Sequence, residues 1–465
     1  MLHTTICAVS TPRGKGGIAV IRISGPDAFA VSGAMFRAKF GSPDPAAHPV
    51  RKAVFGEILD ESGAVCDEGI CTLFSGPASF TGEDMAEISC HGGLAVTEAV
   101  YLSAIAHGAS AAGPGEFTKR AFINGKLDLT EAEAVGKLID ADTRERMQLA
   151  GSALRGSVSN EIAAISASLL DTMTALYAAI DYPEEDVGDE GEREIGNTLR
   201  TAQRRVEKLL NTYKTGRAIS DGVKCVICGR PNVGKSSVFN LITGEDSAIV
   251  TSVAGTTRDI LRETVSFGGI TLRLSDTAGI HATDDLVEKI GIERASAEIS
   301  KSELVISVFD GGESLREEDR TLLELVKAAS APVIAVINKS DLGILLTDEE
   351  IRMIRDAADS CVQISAQRNG EQDRAALSDA IAAEFGSDKL SLTTDAVIWD
   401  VRQREILTHA RAALTDAVEG IELGAPIDAV CTSAEEALAA LNETDGRTME
   451  TTIVDEIFKR FCVGK

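Results

Sequence analysis

The segment Gly229-Arg230-Pro231-Asn232-Val233-Gly234-Lys235-Ser236 has the spacing Gly-x-x-x-x-Gly-Lys-Ser. A β-like run, "VKCVIC", precedes it, and a helical run, "SVFNLITG", follows. Strand, glycine loop and helix in that order make a phosphate cradle. The glycines let backbone N–H groups turn inward, and the helix N-terminus adds a favourable dipole. Lys235 suits the β- and γ-phosphates, and the Ser236 hydroxyl suits magnesium. Three companions follow in order. "DTAG" (Asp276, Thr277, Ala278, Gly279) closes a β-run and offers a magnesium-side carboxylate and a γ-phosphate-sensing amide. "NKSD" (Asn338 to Asp341) follows "APVIAVI", and Asp341 can accept two hydrogen bonds from the N1–H and exocyclic amine of guanine. Adenine has no such donor pair, so the substrate is expected to be GTP. "ISAQ" supplies Ser365, Ala366 and Gln367, with the Ala366 amide placed for the guanine oxygen.

The expected nucleotide site thus comprises Gly229, Asn232, Val233, Gly234, Lys235, Ser236 and Ser237, then Thr251, Ser252, Val253, Ala254, Gly255, Thr256 and Thr257. Asp276 to Gly279, Asn338, Lys339, Asp341, Ser365, Ala366 and Gln367 complete it. Thr257, in "GTTRD", is a switch threonine for magnesium. Where Ras-like proteins place a water-orienting glutamine, this chain has Ile280, and no arginine finger is evident. The Asn232 side-chain carbonyl can instead hold a monovalent cation against the β/γ bridge, with further oxygens from "TSVAGT". Glu288 can orient water, although spacing alone favours reading it as a solvated helix residue.

Two other patterns carry less. Cys225-x-x-Cys228 has the spacing of half a metal site, but no second pair exists and the stretch reads as a buried strand. Gly14-x-Gly16-Gly17 resembles a dinucleotide loop without a preceding strand. The chain closes on "FKRFCVGK". Cys462 stands where a prenylated cysteine would, but Gly464 and Lys465 do not fit that motif. A docked helix with a frayed tip, or a terminus folded into a site, remain the two readings of the tail.

The elements that must position these residues change texture along the chain. Residues 1–125 mix β-like runs with two helical patches, an α+β pattern. Helical periodicity dominates 126–220, broken by the acidic "DYPEEDVGDEGERE", which reads as a turn. Strand and helix alternate over 221–387, as in a doubly wound parallel sheet. Helices return over 388–465. The expected fold is multidomain: an α+β N-terminal domain and an all-α helical domain, with an α/β Ras-like G domain inserted in the latter. At 465 residues, two to four domains are in order. A net charge of −26 makes the chain a poor general binder of phosphate backbones. Nine scattered cysteines, no secretory leader and no long apolar run point to the cytoplasm and away from a membrane.

With these residues in view, the chain resembles the tRNA-modification GTPase MnmE (TrmE) family from end to end. "TPRGKGGIAVIRISG", "SFTGEDMAEISCHGG", "PGEFTKRAFINGKLDLTEAEAV", the G-domain set and the closing "FCVGK" are similar to family motifs in family order. The resemblance implies an N-terminal domain that binds 5-formyl- or 5,10-methylene-tetrahydrofolate through Arg22, Glu87, Lys126 and Lys465 and that dimerises the chain. It implies potassium at Asn232, Thr251, Val253 and Thr256, magnesium at Ser236 and Thr257, and hydrolysis assisted by Glu288. Cys462 would lie near the transferred carbon, as a candidate nucleophile. The implied partner is the FAD-containing MnmG protein, in a heterotetramer that adds a carboxymethylaminomethyl or aminomethyl group to carbon 5 of the tRNA wobble uridine. Val463 stands for the usual isoleucine and His281 for a common arginine. The competing reading is a ribosome-assembly GTPase resembling Era or Der, which has no use for the N-terminal motifs or the tail.

Overall fold

The computed structural model describes residues 4–181, 188–244, 263–274, 296–368, 370–446, 456–459 and 461–464. The chain divides into two compact units, residues 1–136 with 442–465, and residues 137–441.

The first unit is built on a seven-stranded sheet. Its strands are β1 (Ile6–Val9), β2 (Ile18–Ser24), β3 (Phe36–Ala38), β4 (Val54–Leu59), β5 (Val65–Phe74), β6 (Met85–His91) and β7 (Ser110–Ala111), in the order β3-β4-β5-β6-β2-β1-β7. All neighbours are antiparallel except β1 and β7. Ile21 and Ile23 of β2 and Ile88 of β6 are fully buried in its core with Val100 and Ala104 of the helix Leu94–Ala106. Three helices, not two helical patches, lie within residues 1–125: Ala28–Met35, Leu94–Ala106 and Glu116–Ile123.

Residues 442–465, expected to close the helical domain, group by contact with this unit. The physical reason is an aromatic cluster. Phe458 is buried against Leu129 and Ala132, with Phe122, Ile457 and Phe461 around it. The Phe458 ring lies 5.2 Å from Phe461 and 6.2 Å from Phe122.

The second unit holds a helical bundle and a six-stranded sheet. The sheet comprises β8 (Val223–Cys228), β9 (Glu263–Phe267), β10 (Ile270–Leu274), β11 (Leu304–Asp310), β12 (Val333–Asn338) and β13 (Ser360–Gln363), in the order β13-β12-β11-β8-β10-β9. Only β9 runs antiparallel to its neighbour. Every residue of β11 and β12 is buried, as central strands covered on both faces require. In the bundle, Ile165 and Leu169 of the helix Ser157–Asp181 share one core with Leu199 and Val206 of Gly188–Asn211. Leu407 and Leu414 of Val401–Glu422 and Val430 and Ala434 of Ile427–Glu443 complete that core. Helices before and after the sheet therefore pack as one bundle, with the α/β segment inserted between them. The helix Gly188–Asn211 begins inside the acidic stretch read as a turn.

Candidate functional site: a guanine-nucleotide cradle and a docked tail

Strand β8 ends at Cys228, and the helix Lys235–Thr243 begins six residues beyond Gly229. Two glycines set the turn between them. Gly229 has φ +154, and a Cβ there would meet the Val308 carbonyl at 2.5 Å. Gly234 has φ +98, and a Cβ would lie 2.1 Å from Asn338 Nδ2. Asn232 adopts a left-handed φ of 66° without being glycine, and it is exposed at the loop crest. Lys235 Nζ donates to the carbonyls of Gly229 and Arg230, both at 2.8 Å. Burial holds its ammonium below the usual lysine range. An incoming phosphate can replace those two carbonyls as a stronger acceptor. Ser236 is exposed at the first turn of the helix, open for a cation.

The guanine side is assembled by Asn338. Its Nδ2 donates to the Val233 carbonyl at 2.9 Å, and its Oδ1 accepts from the Ala366 N–H at 3.0 Å. One buried amide thus joins the phosphate loop to the base loop. The Ala366 N–H, expected at the guanine oxygen, is engaged by Asn338 here. Ser365 Oγ donates to Asp341 Oδ1 at 2.6 Å and holds that carboxyl below its ordinary range. The charged acceptor that guanine needs is thereby favoured. Lys339 stands at φ 63° with its Nζ on Asp310 Oδ2 at 2.5 Å. Gln367 is exposed beside these groups, and Ser237 is half-buried in the helix after the loop.

Thr251, Ser252, Val253, Ala254, Gly255, Thr256 and Thr257, Asp276 to Gly279, Ile280 and Glu288 lie outside the described residues, as does Lys465. The two cysteines of β8 are core residues: burial pushes the Cys228 thiol up to about 12 and raises Cys225 as well. Among the described residues, no group of three or more His, Cys, Asp or Glu is poised for a metal. A strand, β1, does precede the Gly14 loop, contrary to the sequence reading, but the loop leads into strand β2 and not into a helix. It lacks the helix N-terminus that a dinucleotide loop needs.

In the first unit, Arg22 and Glu87 face each other across β2 and β6. Arg22 Nε lies 2.9 Å from Glu87 Oε1, and its guanidinium sits 5.4 Å and 5.7 Å from the Phe80 and Phe117 ring centroids. Cation, carboxylate and aromatic faces together suit a flat heteroaromatic ligand with an acidic tail. Lys126 is exposed beside Gly82. Sequence reading missed the buried group behind them: Arg120, fully buried, reaches Glu83, Glu116 and the Thr4 carbonyl. The motif "PGEFTKRAF" contained Arg120 and Glu116, at helical i,i+4 spacing, and could have shown half of it. The tail is also docked on this unit. Val463 bridges Pro114, the Gly115 N–H donates to the Cys462 carbonyl at 3.2 Å, and Ser10 Oγ donates to the Gly464 carbonyl at 2.9 Å. Cys462 is exposed. Lys459, three residues before it, is ion-paired with Glu456 at 2.7 Å.

A doubly wound sheet with a glycine phosphate loop, set in a helical bundle, defines a nucleotide-binding protein of the P-loop class. The MnmE helical domain model matches residues 129–462, and the GTP-binding protein TrmE N-terminus model matches residues 5–126. The chain belongs to the MnmE family. The tRNA modification GTPase MnmE of Lactobacillus gasseri is 40% identical over 462 residues, covering 99% of this chain and 98% of that one. Its counterpart in Heliobacterium modesticaldum is 39% identical over 472 residues, covering 100% of both chains, and that of Bacillus licheniformis is 37% identical over 465 residues, covering 99% and 100%.

Proposed function

We propose that this chain is a potassium-dependent GTPase acting in tRNA modification. With the FAD-containing MnmG protein it adds a carboxymethylaminomethyl or aminomethyl group to carbon 5 of the wobble uridine, using a tetrahydrofolate one-carbon unit. The observation that carries this reading is the union of a guanine-selective phosphate cradle with family membership over the full length of the chain.

In this reading Lys235 exchanges its two carbonyl partners for β- and γ-phosphate oxygens, and Asp341 accepts from the guanine N1–H and amine. Ser236, with Thr257, holds magnesium, which neutralises phosphate charge when bound. Asn232, exposed and left-handed at the loop crest, fits a monovalent cation with Thr251, Val253 and Thr256. Glu288 orients the attacking water. Arg22, Glu87, Lys126 and Lys465 hold the folate, with Cys462 beside the transferred carbon. The chain works as a homodimer.

The test is steady-state hydrolysis of GTP and ATP in matched potassium and sodium salts. Turnover of GTP alone, falling at least tenfold when sodium replaces potassium, is the expected result, since the side chain at position 280 cannot orient water. Equal rates in the two salts would remove the cation from the mechanism.

A further inference from the structure

Behind the phosphate loop lies an ion cluster with no part in the chemistry above. The side chain of Arg230, the second residue of the loop, is 6% exposed. Its Nε donates to Asp319 Oδ2 at 3.0 Å, one terminal nitrogen pairs with Glu313, and the other reaches the Pro231 carbonyl at 3.4 Å. Asp319 is buried in the first turn of the helix Glu317–Lys327, where the same oxygen also takes the Arg316 N–H at 3.0 Å. Asp310, at the end of β11, lies 4.0 Å from Arg230 and binds Lys339 of the base loop.

We infer that Arg230 and Asp319 form a brace that positions the phosphate loop for nucleotide, with Arg230 a positioning residue; the inference rests on the guanine-nucleotide reading above. The Pro231 carbonyl held by Arg230 belongs to the peptide that leads into Asn232. A left-handed backbone at a non-glycine residue persists only where its surroundings impose it. The Arg230 carbonyl, on the other side, is one of the two acceptors that hold Lys235. The guanidinium, anchored on a helix outside the site, thus holds the peptide that leads into the crest, while the carbonyl of the same residue holds Lys235. Arginine suits the task and lysine does not: a planar fork reaches two carboxylates and a carbonyl in three directions, whereas an ammonium is a point charge on a flexible stem.

A purely structural ion pair would stabilise the fold without favouring nucleotide. The experiment therefore measures release of a fluorescent GDP analogue from the full-length chain, alongside urea unfolding. The variants are Arg230→Lys, Asp319→Asn and the double variant, with Leu322→Ala as a control that loosens the same helix from its core. Each brace variant is expected to speed release about tenfold, and the double variant to release no faster than about either single one, as contacting residues that act together require. GTPase KM should rise with kcat held within about twofold. Release within about twofold of the unaltered chain in both single variants would overturn the brace. So would single effects that multiply in the double variant, or equally fast release from Leu322→Ala at equal loss of stability. Failure of the unaltered chain to bind the analogue would remove the nucleotide reading and the brace with it; variants that behave like a binding parent remove the brace alone.

Discussion

On the proposed reading, base specificity rests on the Asp341 carboxylate, which the Ser365 hydroxyl holds below its ordinary range. Asp341→Asn exchanges an acceptor for a donor on one side of the group. The variant should bind GTP at least tenfold more weakly, a loss in the range of a charge-assisted hydrogen bond, and should admit xanthine nucleotides. Competition binding with GTP and xanthosine triphosphate checks this, and unchanged GTP affinity would contradict it. The residues of the cradle were legible in the sequence because the chemistry is local. Loop, lysine and serine are consecutive, and "NKSD" is four residues long. What was not legible was the pairing across distance. Asn338 holds Val233 from 105 positions away, and Arg230 meets Asp319 across 89. Spacing along the chain contains no signal for such contacts, and the engagement of the Ala366 N–H by Asn338 was hidden for the same reason.

Among the elements, the C-terminal tail is seated by an aromatic cluster and a glycine turn. Its apolar run was visible as Ile457, Phe458 and Phe461, but the surface it covers was not, since Phe122, Leu129 and Ala132 lie more than 300 residues earlier. Gly464 locks the final turn. It has φ +97, and a Cβ would lie 2.4 Å from the Val9 carbonyl and 3.1 Å from Ser10 Cα. No L side chain fits there without moving the backbone. Gly464→Val should therefore lift the last residues off the N-terminal sheet. Hydrogen exchange at the Gly115 amide, which donates to Cys462, should speed up by about tenfold or more, while GTP hydrolysis stays close to that of the parent. Unchanged protection of that amide would show that the tail seats without the glycine turn. Cysteine spacing misleads at this scale: Cys225 and Cys228 sit on one central strand, and their burial explains them fully.

For the whole molecule, the insertion of an α/β domain into a helical one was legible as a change of period along the chain. The reason it is tolerated lies in the packing. Chain segments on either side of the inserted domain touch, the Ile398 N–H donating to Thr212 Oγ1 at 3.1 Å, and the domain's own end is tied to the first segment where Thr215 Oγ1 donates to the Phe385 carbonyl. Replacing residues 221–387 by a short flexible linker should leave a helical bundle that unfolds cooperatively, as circular dichroism in urea can follow. A broad, non-cooperative transition would mean that the bundle depends on the inserted sheet. The grouping of residues 442–465 with the N-terminal unit was not legible, because helical periodicity continues through Glu443 without marking whose core it enters. The net charge of −26 gives the chain no general attraction for phosphate backbones. On the proposed function, this chain serves modification of the tRNA wobble uridine. Its most direct test is mass spectrometry of nucleosides from tRNA of cells lacking the gene, with and without the intact gene restored. The account predicts that uridines bearing the aminomethyl-type side chain at carbon 5 disappear and return on restoration; an unchanged set of wobble nucleosides in the deleted cells would contradict it.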